Sequence, residues 1–126
     1  MTVDRQRGEP YGWSARIDLY ECDPSRLRSR DAIQEFVESL CGQVLHMKRH
    51  GNLLIEWFGS ADDKTGGFSF VQLIETSSVV GHVSESLGSL YLDVFSCRSF
   101  DARSAAEHAV AHFGASKLET AEDVRH

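Results

Sequence analysis

The chain has 126 residues, 41% of them hydrophobic, and a formal net charge of −6, which suits one globular domain with a single core. The acidic balance disfavours non-specific binding to nucleic acid and suits a small cationic ligand. Three cysteines cannot all pair within one chain and lack metal-finger spacing, so they predict reduced thiols and a cytoplasmic location. Neither a membrane-spanning run of about 20 apolar residues nor the apolar core of a signal peptide is present, so no membrane partner is expected.

A strand and then a helix are predicted at the start of the chain. Residues 14–20 alternate between apolar and polar side chains as a half-buried strand does, and Pro24 ends the run. From Asp31 to Cys41 the apolar residues recur at helical spacing, with Asp31 placed to cap the first turn and Gly42 to stop the helix. The pattern predicts a helix with one buried face.

Consecutive strands are predicted next, and a second helix follows them. The strands are expected at 43–49, 52–58, 68–75, 78–83 and 89–96. The helix runs from about Asp101 to Phe113 and ends at Gly114, and the polar tail after Leu118 is expected to fray or to add an edge strand. Consecutive strands favour antiparallel pairing, so the prediction is an α+β fold, a two-layer sandwich of an antiparallel sheet with two helices on one face.

Four side chains in the strand region suit one particular chemistry: Ser69, Ser77, His82 and Cys97. A serine hydroxyl can attack the carbonyl of the peptide bond before it and convert the amide to an ester. A base then removes the serine Cα proton, β-elimination cuts the chain, and the new N-terminus hydrolyses to a pyruvoyl group. That carbonyl forms a Schiff base with a substrate amine and accepts electrons as CO2 leaves. Such a site needs a serine in a tight turn, a base and an acid.

The spacing of these residues resembles that of the bacterial S-adenosylmethionine decarboxylases, over roughly residues 11–114. The resemblance implies cleavage between Thr76 and Ser77, into 1–76 and 77–126, with a pyruvoyl cofactor formed from Ser77. It also implies that Ser69 and His82 serve the processing reaction and that Cys97 donates a proton during catalysis.

The first predicted strand extends the resemblance. Its tail reads Tyr20-Glu21-Cys22, which is similar to the corresponding tail in the family. Asp18 falls where the family also has an acidic residue, and we take it as a candidate contact for the cation of a substrate.

The resemblance further implies a function and a partner. It predicts a pyruvoyl-dependent decarboxylase of polyamine biosynthesis that acts on S-adenosylmethionine and supplies the aminopropyl donor for spermidine. It also predicts a homodimer with sites at or near the subunit interface. No metal ligand set is expected.

Departures from the family pattern keep two other functions open. Family members usually carry Glu-Ser-His at the cleavage point and His-Thr-Trp-Pro-Glu after it, whereas this chain has Thr76-Ser77-Ser78 and His82-Val83-Ser84-Glu85-Ser86. Ser86 thus replaces a glutamate that the family associates with the nucleoside, and 56–66 looks like an insertion. The first alternative is a pyruvoyl-dependent decarboxylase of arginine or ornithine. The second is a non-processing paralogue that acts as a binding or regulatory subunit.

Taken singly, each residue also has a simpler interpretation. Ser69 and Ser77 would be solvent-facing strand serines, Cys97 a small buried apolar residue, and His82 a structural histidine. Ser77, His82 and Asp93 could formally compose a hydrolase triad, but no nucleophile-elbow glycines surround Ser77. The joint spacing favours the decarboxylase.

Two histidine pairs are expected to be solvated. His108 and His112 lie four apart on the second helix, a spacing that can bind a metal, and His46 and His50 would share a strand face. Since no third ligand is evident, both pairs are predicted to lie on exposed faces.

Overall fold

The structure, a computed structural model, describes residues 8–126. Within that range no helix has both the length and the apolar character needed to cross a membrane. The elements in chain order are β1 (Gly12–Tyr20), α1 (Pro24–Leu27), α2 (Arg30–Ser39), a π-helical turn (Leu40–Val44), β2 (Leu54–Phe58), β3 (Gly67–Ile74), β4 (Ser77–Ser84), β5 (Ser89–Ser96), α3 (Ala102–Phe113) and β6 (Lys117–Arg125). The helix α1 is a single turn, too short for a periodic pattern to predict.

All six strands form one antiparallel sheet in the order β2-β3-β4-β5-β1-β6. The hairpins from β2 to β5 are consecutive, and β1 then pairs with β5 on one side and with β6 on the other. The polar tail therefore adds an edge strand. The α+β class with an antiparallel sheet is confirmed.

Within residues 8–126, helices cover one face of the sheet and leave the other uncovered. Side chains alternate between the two faces along each strand. On the covered face, buried strand residues join the helices in one core, where the rings of Phe36 in α2 and Phe113 in α3 lie 4.9 Å apart. The strand members of that core include Ile17, Leu19, Phe70, Val79, Leu90 and Leu92. The opposite face, called the open face below, carries the intervening residues, among them Arg16, Ser69, Leu73, His82 and Asp93.

Both predicted ends of the first long helix are wrong. Ser29, not Asp31, is the N-cap of α2: its Oγ accepts a hydrogen bond of 3.0 Å from the backbone N–H three residues later. Gly42 does not stop the helix, because the chain continues through the π-helical turn Leu40–Val44. The first two residues of that turn are buried in the core, so packing prolongs the helix beyond the glycine.

The predicted strand at 43–49 is also wrong. Leu45 and Met47 are buried while His46 and Lys48 are exposed, so burial alternates as it would in a strand. However, His46 has a φ of 55°, which interrupts the extended backbone, and Arg49 forms only an isolated bridge to β3. Consequently His46 and His50 do not share a strand face.

His108 and His112 lie between α3 and α2 rather than on a solvated face. Their rings pack on Phe36 at centroid distances of 5.8 and 5.5 Å. His108 Nε2 lies 2.7 Å from Ser39 Oγ, and His112 Nε2 donates to the Ala32 carbonyl at 2.7 Å. Burial lowers the pKa of both imidazoles; the neighbouring His112 lowers that of His108 further, and the Ala32 hydrogen bond partly offsets the effect at His112.

These two imidazoles predict a loss of stability in weak acid. Because their pKa is lower in the folded state than in the unfolded chain, the unfolded chain binds more protons near pH 6. The stabilisation is complete above the unfolded pKa of about 6.5 and declines as the pH falls below it. Urea unfolding at pH 7.5 and 5.5 measures the decline. In the variant His108→Gln/His112→Gln, the free energy of unfolding should depend much less on pH between these two values. His50→Gln, a change at an exposed histidine, should leave the pH dependence as it is in the wild type.

Candidate active site

The turn between β3 and β4 places Thr76 in a conformation that threonine rarely adopts. Ile74 and Ser77 are the last paired residues, so Glu75 and Thr76 alone connect the strands. Thr76 has a φ of 58°, a left-handed value that is a genuine outlier for a β-branched residue. Strain of this kind destabilises a residue by about 1–3 kcal/mol. The strained residue immediately precedes the predicted nucleophile.

Ser77 is buried and its hydroxyl is held by a neighbour on β5. Its Oγ donates to Ser96 Oγ at 2.9 Å, across the pair that the two residues form in the sheet. Ser96 is fully buried and also accepts a bond of 3.0 Å from the backbone N–H of Arg98. The sequence analysis missed Ser96, although its position next to Cys97 was the available signal.

Cys97 follows β5 directly and contacts the strained turn. Its Sγ lies 2.6 Å from Thr76 Oγ1, and Thr76 Oγ1 in turn donates to the Glu75 carbonyl at 2.6 Å. A cavity of about 280 Å³ opens here, lined by Met47, Lys48, Ile74, Glu75, Thr76, Ser77, Cys97 and Arg98. The two cationic residues of the lining, Lys48 and Arg98, carry no periodic or motif signal and were not predicted.

Ser69 and His82 form a second group on the open face. They are directly opposite each other on β3 and β4, and Ser69 Oγ lies 2.9 Å from His82 Nδ1. The hydrogen bond fixes the orientation of the imidazole. The structure therefore brings this predicted pair together.

The two groups do not meet within one chain. His82 lies five residues beyond Ser77 on β4, about 17 Å at ~3.4 Å per residue. Ser77 is buried on the covered face, whereas His82 is exposed on the open face. Asp93 is also exposed there. A hydrolase triad of Ser77, His82 and Asp93 is therefore not formed.

Asp18 and Ser86 lie outside the cavity at Ser77. Asp18 sits on the open face of β1, 3.5 Å from Arg16 across an ion pair. Burial raises the pKa of Asp18, Arg16 opposes that effect, and Asp93 adds to it. Ser86 lies in the turn after β4 and donates to the Asp63 carbonyl at 3.2 Å. Ser86 thus tethers the 59–66 loop.

Fold and site together define a small α+β protein with a serine after a strained hairpin, a thiol beside it, and a separate serine–histidine pair on the sheet. The sequence profile of the S-adenosylmethionine decarboxylase family matches residues 14–126. The chain belongs to this family of decarboxylases, which confirms the resemblance.

A solved structure shows the same fold. The fold is similar to that in the crystal structure of the adenosylmethionine decarboxylase from Aquifex aeolicus VF5, with a TM-score of 0.75 and 17% sequence identity. The match covers 94% of this chain and 92% of the other. No curated protein sequence matches the chain significantly.

Proposed function

We propose that the chain cleaves itself between Thr76 and Ser77 and then acts as a pyruvoyl-dependent S-adenosylmethionine decarboxylase of polyamine biosynthesis. The observation that carries the proposal is the β3–β4 turn in a member of this family. There Ser77 follows a left-handed threonine, and Cys97 lines the same cavity. All three cysteines are free thiols, as suits a cytoplasmic protein.

In the first reaction, Ser77 Oγ attacks the carbonyl carbon of Thr76. A C–O bond forms, the peptide C–N bond breaks, and the hydroxyl proton passes to the Ser77 nitrogen, so an ester replaces the amide. A base then removes the Ser77 Cα proton, and the ester oxygen leaves in the carboxylate of Thr76. The remaining dehydroalanine takes up water and releases ammonia, which leaves the pyruvoyl group. Cleavage frees Thr76 from its left-handed conformation, so the strain favours this reaction.

The cavity beside Ser77 suits the second reaction. Decarboxylation needs an electron sink, and no side chain that lines the cavity can act as one. The pyruvoyl carbonyl would supply it. Cys97 Sγ returns a proton to the substrate carbon that has lost CO2. Lys48 and Arg98 place positive charge where the substrate carboxylate binds, and Glu75 offers a carboxylate to a substrate cation.

A homodimer supplies what one chain lacks. Ser77 has Ser96 as its side-chain hydrogen-bond partner, and a serine hydroxyl is not a base. His82 and Ser69 lie on the open face, where a second copy of the chain has access to them. We therefore propose that the open face of each copy meets the β3–β4 turn of the other about a two-fold axis, so that His82 and Ser69 of one copy serve Ser77 and Cys97 of the other.

The second candidate function is decarboxylation of arginine or ornithine. It is favoured by Ser86, which carries no charge and whose hydroxyl is already engaged by the Asp63 carbonyl. A ribose would therefore lack the carboxylate acceptor of the family pattern. A non-processing paralogue is the remaining alternative, and detection of the cleaved chains would exclude it.

Cleavage is tested by intact mass spectrometry of the purified protein. We expect two chains, 1–76 and 77–126, the second blocked by a pyruvoyl group and lighter by the lost ammonia. Ser77→Ala should remain one chain, whereas the matched change Ser78→Ala should cleave normally. A wild-type mass equal to that of the intact 126 residues would contradict self-processing and favour the paralogue.

Composite sites are tested by co-expressing two inactive variants. Neither Ser77→Ala nor His82→Ala should cleave alone, but in the mixed dimer the His82→Ala chain should be cut with the help of the other copy. The control pair is His82→Ala with Ser69→Ala, in which every composite site lacks one side chain of the pair and should remain uncut. Failure of the first mixture to cleave would show that His82 does not act across an interface.

The substrate is tested by measuring CO2 release from S-adenosylmethionine, arginine, ornithine and lysine. We expect S-adenosylmethionine to react, and Ser86→Glu, acting from the copy that supplies His82, to lower its KM about tenfold, because hydrogen bonds to a charged acceptor contribute roughly 1.5–3 kcal/mol each. Leu87→Glu adds the same charge at the neighbouring exposed position and should leave KM unchanged. Turnover of arginine or ornithine without S-adenosylmethionine would establish the alternative.

A further inference from the structure

The side chain of Thr76 joins the scissile turn to Cys97. Its Oγ1 lies 2.6 Å from Cys97 Sγ and 2.6 Å from the carbonyl oxygen of Glu75. The residue is exposed and left-handed, a conformation that glycine or asparagine adopts far more readily. The turn geometry alone therefore does not account for a threonine here.

Counting protons gives the direction of both hydrogen bonds. A threonine hydroxyl has one proton, and the carbonyl of Glu75 accepts without donating. The Thr76 proton is therefore committed to Glu75, and Thr76 Oγ1 is left as an acceptor towards Cys97. The thiol must supply the second proton. The resulting order is Cys97 S–H to Thr76 Oγ1, and Thr76 O–H to the Glu75 carbonyl.

This order directs the thiol proton at the turn and not into the cavity. Thr76 is also the residue whose carbonyl carbon Ser77 would attack. Once the bond after Thr76 breaks, the hairpin no longer holds its φ at 58°, and Thr76 becomes a free chain end. The acceptor of the thiol proton is thus mobile only after cleavage.

We infer that Thr76 is a positioning residue that holds the Cys97 thiol against the turn in the uncleaved chain and releases it when the chain is cut. The inference deepens the proposed function, on which the release step rests. It means that the proton donor of the decarboxylation becomes available only when the pyruvoyl group has formed. The contact between Thr76 and Cys97 is present in the uncleaved chain, so it does not depend on the proposed function.

The test is the rate at which iodoacetamide alkylates Cys97, with all variants in the Ser77→Ala background so that no chain is cut. A thiol held in a hydrogen bond has to leave that contact before it can react with the reagent. Thr76→Val, which replaces the hydroxyl by a methyl group, should raise the rate about fivefold, the factor that one net hydrogen bond contributes to an equilibrium. Thr76→Ser keeps the hydroxyl and should retain the slow rate. Cys22 and Cys41, which are 5% and 1% exposed, report any unfolding.

Thr76→Gly separates positioning from a merely structural role. Glycine relieves the left-handed strain, so this variant should be more resistant to urea, yet without the hydroxyl its Cys97 should react as fast as in Thr76→Val. If Thr76 had only a structural role, the less strained turn of the glycine variant should protect Cys97 from alkylation at least as well as the wild-type turn does. Slow alkylation in the glycine variant would overturn the inference.

The cut protein completes the test. In wild-type protein that has cleaved, Cys97 should react at the fast rate of the valine variant, and the slow rate there would refute release. If the wild-type chain does not cleave, the proposed function fails, while the comparison among the uncut variants still decides whether Thr76 holds the thiol. Equal rates in the threonine, serine and valine chains would show that it does not.

Discussion

The register in which β3, β4 and β5 pair is the constraint on which the site depends. It sets Ser77 opposite Ser96 and Ser69 opposite His82. Because side chains alternate between faces, a slip of one residue would bring Ser77 to the open face and bury His82. The same register leaves only two residues for the turn, and the second of them, Thr76, has the left-handed conformation. The position of Ser77, the strained turn and the serine–histidine pair therefore follow from one set of strand pairings.

Core packing fixes this register. Gly81 lies opposite Phe70 on the neighbouring strand, and a Cβ at Gly81 would collide with the Phe70 ring. The ring thus occupies the place of the missing side chain, and a shifted pairing would bring the ring against a residue that has a Cβ. Phe70 is 1% exposed, so the fit is made deep in the core. Burial of the Phe70 ring therefore stabilises the β3–β4 register, and with it the β3–β4 turn in which Thr76 is strained.

The sequence predicted the regular elements best where the pattern was long and local. The second helix was predicted from Asp101 to Phe113, and α3 occupies Ala102–Phe113 with Asp101 as its cap and Gly114 left-handed after it. Capping and periodicity act within a few residues, so they are legible in a linear sequence. The run at 43–49 shows the opposite case: Leu45 and Met47 join the core, but within residues 8–126 the only strand pairing of this run is the isolated bridge from Arg49 to β3.

For the site, the sequence by itself determined the family and the candidate residues, because the spacing of Ser69, Ser77, His82 and Cys97 along the chain is a one-dimensional property. Only the tertiary structure decided how they are divided. It put Ser77 and Cys97 at one end of the sheet and the Ser69–His82 pair on the open face, and it brought in Ser96, Lys48 and Arg98. The physical reason is that these contacts join residues on different strands and faces, where strand pairing and burial, and no local sequence signal, set the distances.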